Sequence, residues 1–172
     1  MTIFEKSKIG VLFVAVLGVG LITASSWQRS SSKIIYNPSR SAPLGWYVVK
    51  PPAALHRGEF VLVKLPPAIA RLADERQYLP KTVPLLKNVG AVVGDRVCEQ
   101  QGLVRINGIP IAHALARDGA GRALFAWNDC RKLFADELFL LGTTSPASFD
   151  SRYYGPIRVE SVIGVAIPVW TW

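Results

Sequence analysis

Between Ile9 and Ser25 the chain reads IGVLFVAVLGVGLITAS, with no charged side chain. As a helix rising 1.5 Å per residue, this stretch nearly spans a hydrocarbon core of about 30 Å. It therefore divides the chain into a short cytoplasmic tail over 1–8, a transmembrane anchor over 9–26 and an exported domain over 27–172, with Trp27 as an interfacial anchor. A cleavable signal peptide is the competing reading, because Thr23-Ala24-Ser25 is a small-residue run of the kind processing enzymes accept. The apolar run is long for the core of such a peptide, which favours retention. Lys6 and Lys8 on one side nearly balance Arg29 and Lys33 on the other, so the charge rule does not orient the segment. A basic tail followed by an apolar run is nonetheless the usual export signal.

The remaining chain is large enough for one domain with a real core, since half of all 172 residues are hydrophobic. The formal charge of +8 suits nucleic acid or an anionic membrane equally well, but the basic residues occur in no run of four or more. That scatter argues against a nucleic-acid groove and for a domain beside anionic lipid. Cys98 and Cys130 lack Cys-x-x-Cys spacing and a histidine cluster, so no metal site is expected. In an exported domain the pair reads as a disulfide contributing roughly 3–4 kcal/mol in the chain-entropy model; in a reducing compartment it reads as two buried thiols.

Beyond the polar tether Gln28–Lys33, the pattern is mainly β. Trp46–Lys50 and Glu59–Leu65 are rich in Val, Phe, Tyr and Leu, and Pro67–Gln77 is the one helical candidate, with Ile69, Leu72 and Ala73 on one face. An apolar run over Thr82–Val93 is ended by Gly94-Asp95. Short strands follow at Arg96–Gln100, Leu103–Ile106 and Ile109–Ala112, with Asn107-Gly108 as a two-residue hairpin turn. Residues 113–132 read as a polar insertion with little regular structure, after which Glu137–Leu141 and Arg158–Val169 resume the strand pattern.

Three stretches carry chemistry. Asn37-Pro38-Ser39-Arg40-Ser41-Ala42-Pro43 puts two serines between prolines, whose fixed φ makes a stiff, extended turn. Such a turn is either a linker or a rigid seat for a nucleophilic hydroxyl. Lys87 stands alone in an apolar strand and by alternation shares a face with Val83, Leu85 and Val89. It is either an edge lysine reaching water or a buried amine whose lowered pKa lets it deprotonate a serine. Ser148-Phe149-Asp150-Ser151-Arg152-Tyr153-Tyr154-Gly155-Pro156 is a turn between strands that gathers hydroxyls, a carboxylate and a guanidinium. His56 and His113 lie in turn or polar context and read as structural or solvated.

In series, these stretches resemble the type I signal peptidases, membrane-anchored serine endopeptidases on a mostly β fold. Pro38-Ser39-Arg40-Ser41 is similar to that family's nucleophile box, Lys87-Asn88-Val89-Gly90 with Gly94-Asp95 to its lysine box, and Ser148-x-Asp150-Ser151-Arg152-Tyr153-x-Gly155 to its third box. Ser41-Ala42-Pro43-x-Gly45-x-Tyr47 and the Asn107-Gly108 hairpin are most similar to the conjugative-transfer peptidases of TraF type. The resemblance implies a signal-peptidase-like domain of antiparallel strands with few short helices, behind one N-terminal transmembrane helix. It implies Ser41 as nucleophile, Lys87 as general base, Ser39 and Ser41 as oxyanion donors, and Ser148, Asp150 and Arg152 in support. It further implies a periplasmic catalytic domain on a bacterial inner membrane and a pilin-like precursor as substrate, with no cofactor, metal or nucleic acid. Two departures stand out. The general family has one more residue between nucleophile and proline, which keeps Ser39 as a second candidate for attack, and Asn88 stands where a basic residue is usual, which leaves Arg152 as the partner for Asp150. The rivals are a self-cleaving Ser/Lys repressor, opposed by the apolar segment, and a non-catalytic envelope scaffold of a secretion or conjugation apparatus.

Overall fold

The computed structural model describes residues 15, 16, 32–52 and 54–172. The expected tail, most of the anchor, Trp27 and the start of the tether lie outside the described residues; Ala15 and Val16 are helical. Among the described residues no helix is long and apolar enough to cross a membrane. The unit Lys33–Trp172 is built from two antiparallel sheets.

The larger sheet has seven strands in the order β1-β2-β11-β3-β4-β9-β10. These are β1 Lys33–Asn37, β2 Gly45–Lys50, β3 Phe60–Val63, β4 Leu85–Ala91, β9 Glu137–Leu141, β10 Ile157–Arg158 and β11 Val162–Thr171. The smaller sheet has the order β7-β6-β5-β8, from β5 Arg96–Gln100, β6 Leu103–Ile106, β7 Ile109–His113 and β8 Cys130–Lys132. Asn107 and Gly108 both take positive φ between β6 and β7, the backbone that a two-residue hairpin needs to match strand twist.

Three apolar clusters hold the unit. One gathers Val61, Val63, Leu85, Val89, Leu138 and Leu140; another joins the sheets through Ala91, Val97, Val104, Ile106, Phe139 and Leu141. The third contains Tyr47, Val49, Leu62, Leu86 and, from the serine turn, Ala42. Asp95 of the lysine box is a polar tie at the junction, accepting from the Arg57 side chain, Asn107 Nδ2 and the Val92 amide.

Four readings need correction. Lys33, read as the last residue of the tether, instead opens strand β1, which was not expected: Lys33–Asn37 pairs along β2 from Lys33↔Val49 to Asn37↔Gly45. Helix α1 covers Pro67–Glu75 and stops there because Gln77 turns left-handed; Ala73 is buried and Ile69 packs on the core, while Leu72 is exposed. The 113–132 region carries more regular structure than expected, since β7 reaches His113 and β8 begins at Cys130. The turn after Asp150 is a short helix, α2, Ser151–Tyr154, capped by the Asp150 carboxylate on the Arg152 amide.

Candidate active site

The serine turn leaves the end of β1 and returns at Gly45, opposite Asn37 in the β1–β2 ladder. Its conformation is imposed from several sides. Asn37 is buried, and its Nδ2 lies within hydrogen-bond distance of the carbonyls of Ser39 (2.9 Å), Ala42 (3.2 Å) and Pro43 (2.9 Å), while its Oδ1 accepts the Ser39 amide at 3.1 Å. Buried Tyr47 donates its hydroxyl to the Pro43 carbonyl at 2.7 Å. From beyond β9, the Thr143 amide donates to the Ser41 carbonyl at 2.9 Å and the Thr144 hydroxyl to that of Arg40. With Ala42 buried in the core, the turn cannot drift. The Ser39 and Ser41 hydroxyls are 3.1 Å apart, and the Ser41 amide points at Ser39 Oγ at 3.4 Å.

Lys87 is in the middle of β4, opposite Val61, and is 2% exposed. Its Nζ donates to Ser148 Oγ at 2.7 Å. Burial pulls its pKa from the ordinary 10.5 to about 8; Asp150 pulls the other way and Arg152 adds to the fall. Leu85 and Val89 are buried with it, but so is Leu86 from the other face, because this part of β4 is covered on both sides. Val83, expected beside them, precedes the strand and is exposed in the cleft wall.

Asp150 and Arg152 form a buried ion pair next to Ser148. Arg152 meets both carboxylate oxygens of Asp150, Nε at 2.8 Å and Nη2 at 2.9 Å. The fork geometry leaves further donors, and Arg152 uses them on the carbonyls of His113, Pro146 and Ser148. Asp150 also accepts the Gly142 amide at 2.8 Å. The carboxylate is fully buried, yet every oxygen has donors, so its charge is tolerated. In effect the pair clamps the Ser148 backbone, and Ser148 in turn holds Lys87.

Ser39, Ser41, Lys87 and Ser148 line one cleft of about 560 Å³ between the β1 side, the approach to β4 and the loop after β9. Residues far apart in sequence thus line one cleft: a hydroxyl that can attack, and a desolvated amine whose hydrogen bond goes to Ser148 rather than to Ser41. His56 and His113 are both exposed and are not among the cleft-lining residues. Among the described residues no group of His, Cys, Asp or Glu could hold a metal ion. A disulfide joins Cys98 and Cys130, directly opposed on β5 and β8, and neither cysteine lines the cleft.

Two site residues, Asn37 at the head of the first stretch and Gly142 outside all three, carry no role in the sequence reading. Asn37 was visible only as a polar residue flanking a proline. Gly142 follows an apolar strand, but a Cβ there would collide with the Ser148 side chain and press on the Ser41 carbonyl. A glycine directly after a buried strand and before a Thr-Thr pair was the available hint.

Comparison with known proteins gives a family and several relatives. The family described as signal peptidase, peptidase S26, matches residues 6–172. A plasmid transfer protein TraF of Escherichia coli is 31% identical over 166 residues, covering 90% of this chain and 92% of that protein. A probable conjugal transfer protein TraF of Sinorhizobium fredii is 33% identical over 174 residues, covering 95% of this chain and 89% of its own. A conjugal transfer protein TraF of Agrobacterium fabrum is 33% identical over 147 residues, 79% of this chain and 81% of its own.

Proposed function

The chain belongs to the signal peptidase family, peptidase S26, and from that premise we propose that it is a membrane-anchored serine endopeptidase working through Ser41 and Lys87. The observation that carries the reading is Lys87: a lysine 2% exposed, held by Ser148, brought down to about 8 and opening on the same cleft as Ser41. A strand lysine with a purely structural task has no need of such a setting.

In this mechanism Ser41 Oγ attacks the scissile carbonyl while neutral Lys87 Nζ takes its proton. The same amine then gives the proton to the departing nitrogen, and a water activated by Lys87 releases the acyl group from Ser41. The Ser41 amide and the Ser39 hydroxyl, which face each other in the free site, turn to the developing oxyanion. Such a donor is typically worth about 3–4 kcal/mol. Asp150 and Arg152 touch no reacting atom; they hold Ser148 and the loop after β9.

β1 stands at the edge of the larger sheet and borders the cleft. An extended peptide can therefore pair along it and carry its carbonyl to Ser41. The names of the relatives support a part in plasmid conjugation, and the substrate we propose is an exported precursor of the conjugation apparatus, such as a pilin. On this reading residues 1–8 are a cytoplasmic tail, 9–26 the anchor and 27–172 the periplasmic domain of a bacterial inner-membrane protein. The exposed rings of Tyr36, Trp46, Trp170 and Trp172 cluster, with Tyr36 5.2 Å from Trp46 and 6.3 Å from Trp172, and Tyr36 also lines the cleft. Rings of this amphipathic kind suit a lipid boundary.

The test uses membranes carrying wild type, Ser39→Ala, Ser41→Ala or Lys87→Ala, mixed with pilin precursors and resolved on gels. Processing should vanish in the Ser41 and Lys87 variants and fall in the Ser39 variant. Full processing by Ser41→Ala with none by Ser39→Ala would move the nucleophile to Ser39. Equal processing in all four would leave the chain as a non-catalytic scaffold.

A further inference from the structure

Between β7 and β8 the chain departs from the smaller sheet as a strap, residues 114–129, whose C-terminal end is pinned to β5 by the Cys98–Cys130 disulfide. The tip of the strap closes on Asp118. One carboxylate oxygen accepts the amides of Ala120 and Arg122, each at 2.9 Å; the other accepts Arg122 Nε at 2.7 Å and the Tyr78 hydroxyl. Arg122 reaches on to the Arg76 carbonyl at 2.9 Å, and Arg76 returns a bond to the Ala123 carbonyl at 2.9 Å. The Arg122 guanidinium also lies 5.5 Å from the centre of the Tyr78 ring. The strap is thus fastened to the segment after α1 by reciprocal bonds around one carboxylate.

These bonds bear on the site because Tyr78, Asp118, Arg122 and Leu124 line the cleft that holds Ser41 and Lys87. The strap forms part of the wall of that cleft, as β1 does. Nor can the wall yield readily at its base, where the Leu115 amide donates to the Tyr153 hydroxyl at 2.9 Å and the His113 carbonyl accepts from Arg152 at 2.6 Å. Tyr78 packs 5.1 Å from Phe149, which in turn stacks 5.9 Å from Tyr153, so the wall continues as an aromatic row toward Ser148. The hydrogen bonds from Tyr78 and Arg122 keep the Asp118 carboxyl far below the usual carboxylate range, so the clamp stays charged at any working pH.

We propose that this strap is the specificity wall of the cleft and that Asp118, clamped by Tyr78 and Arg122, determines how large a peptide side chain the cleft admits. A larger side chain enters only by opening a bond to the charged carboxylate, and loss of one such bond corresponds to a discrimination of roughly tenfold or more. The inference rests on the peptidase reading, because it takes the ligand to be an extended peptide.

The test reads binding rather than turnover. Full-length Ser41→Ala protein, with and without Asp118→Ala, is titrated with labelled alanine-rich peptides in which one position at a time carries Leu or Trp. In the Asp118-intact protein, alanine should be preferred over Trp by about tenfold or more at one or two positions. Adding Asp118→Ala should erase that preference there and leave the other positions as they were. Equal discrimination at every position in both proteins overturns the proposal. Should Asp118→Ala disturb folding, Tyr78→Phe keeps the ring and removes one clamp bond, and it should lower the preference several-fold at the same positions; no change there overturns the proposal equally. Peptides that bind selectively but are not cut by the wild type would sink the peptidase reading and leave the wall standing. Peptides that bind neither protein would sink both.

Discussion

Lys87 sits in surroundings that oppose its charge, and both rate and stability should register this. On the proposed dyad mechanism neutral lysine is the reactive form, so processing should rise with pH to a plateau with an apparent pKa near 8. For stability, the folded value lies below the unfolded one. Below about 8 the residue is protonated in both states and the burial penalty is complete; between about 8 and 10.5 the unfolded chain keeps the proton that the folded one has lost, and stability climbs with pH. Lys87→Met should therefore abolish processing yet raise stability at pH 7 by about 3 kcal/mol, with the gain fading as pH passes from 8 to 10.5. Denaturant melts at two pH values check this, and a variant less stable than wild type at pH 7 would refute it. Asn37 is the other residue to probe. It touches no reacting atom but fixes the serine turn through its side-chain bonds. As a positioning residue it should, when changed to Asp, lose kcat by about ten- to a hundredfold as carbonyls face a carboxylate, with KM altered much less. A loss confined to KM would assign it to substrate binding instead.

At the scale of elements, the loop after β9 is the keystone. Gly142 gives its amide to Asp150 and leaves no room for a side chain between Ser148 and Ser41. Gly142→Ala should displace Ser148 from Lys87, removing processing and costing about 1–3 kcal/mol from forced repacking. Kinetics and a melt of the same sample test both halves. The β5–β8 pairing is the second element to probe. Breaking Cys98–Cys130 by Cys98→Ser with Cys130→Ser should lower stability by roughly 3–4 kcal/mol, because the cross-link closes a long loop of the unfolded chain. Since the disulfide pins the C-terminal end of the strap to β5, the double variant should also broaden peptide preference before it unfolds.

For the molecule as a whole, the active cleft depends on two sheets being locked together. Phe139 is completely buried in the cluster that joins them, so Phe139→Ala should cost about 3–5 kcal/mol and weaken processing from a distance, as followed by a thermal melt and the gel assay. The chain should fractionate with membranes through residues 9–26, and a form beginning at residue 27 should lose most of that association; undiminished association would shift the anchor to the exposed aromatic cluster.

Much of this was written locally. An uncharged run, alternating apolar strands, an Asn-Gly turn and three polar stretches are patterns of neighbours, and neighbours are what a sequence displays. They determined the β class, the hairpin and the candidate residues Ser39, Ser41, Lys87, Ser148, Asp150 and Arg152. Tertiary structure alone decided the rest. Whether Lys87 reached water or lost it depended on what covered β4 from both faces. Asn37 and Gly142 matter through carbonyls and side chains distant in sequence, and Lys33–Asn37 became a strand only because β2 lay beside it. The polar 113–132 region gained a task because Asp118 accepts the Tyr78 hydroxyl from a segment forty residues earlier. Desolvation and steric fit arise from packing, and no single stretch of the chain contains both partners of a packed pair.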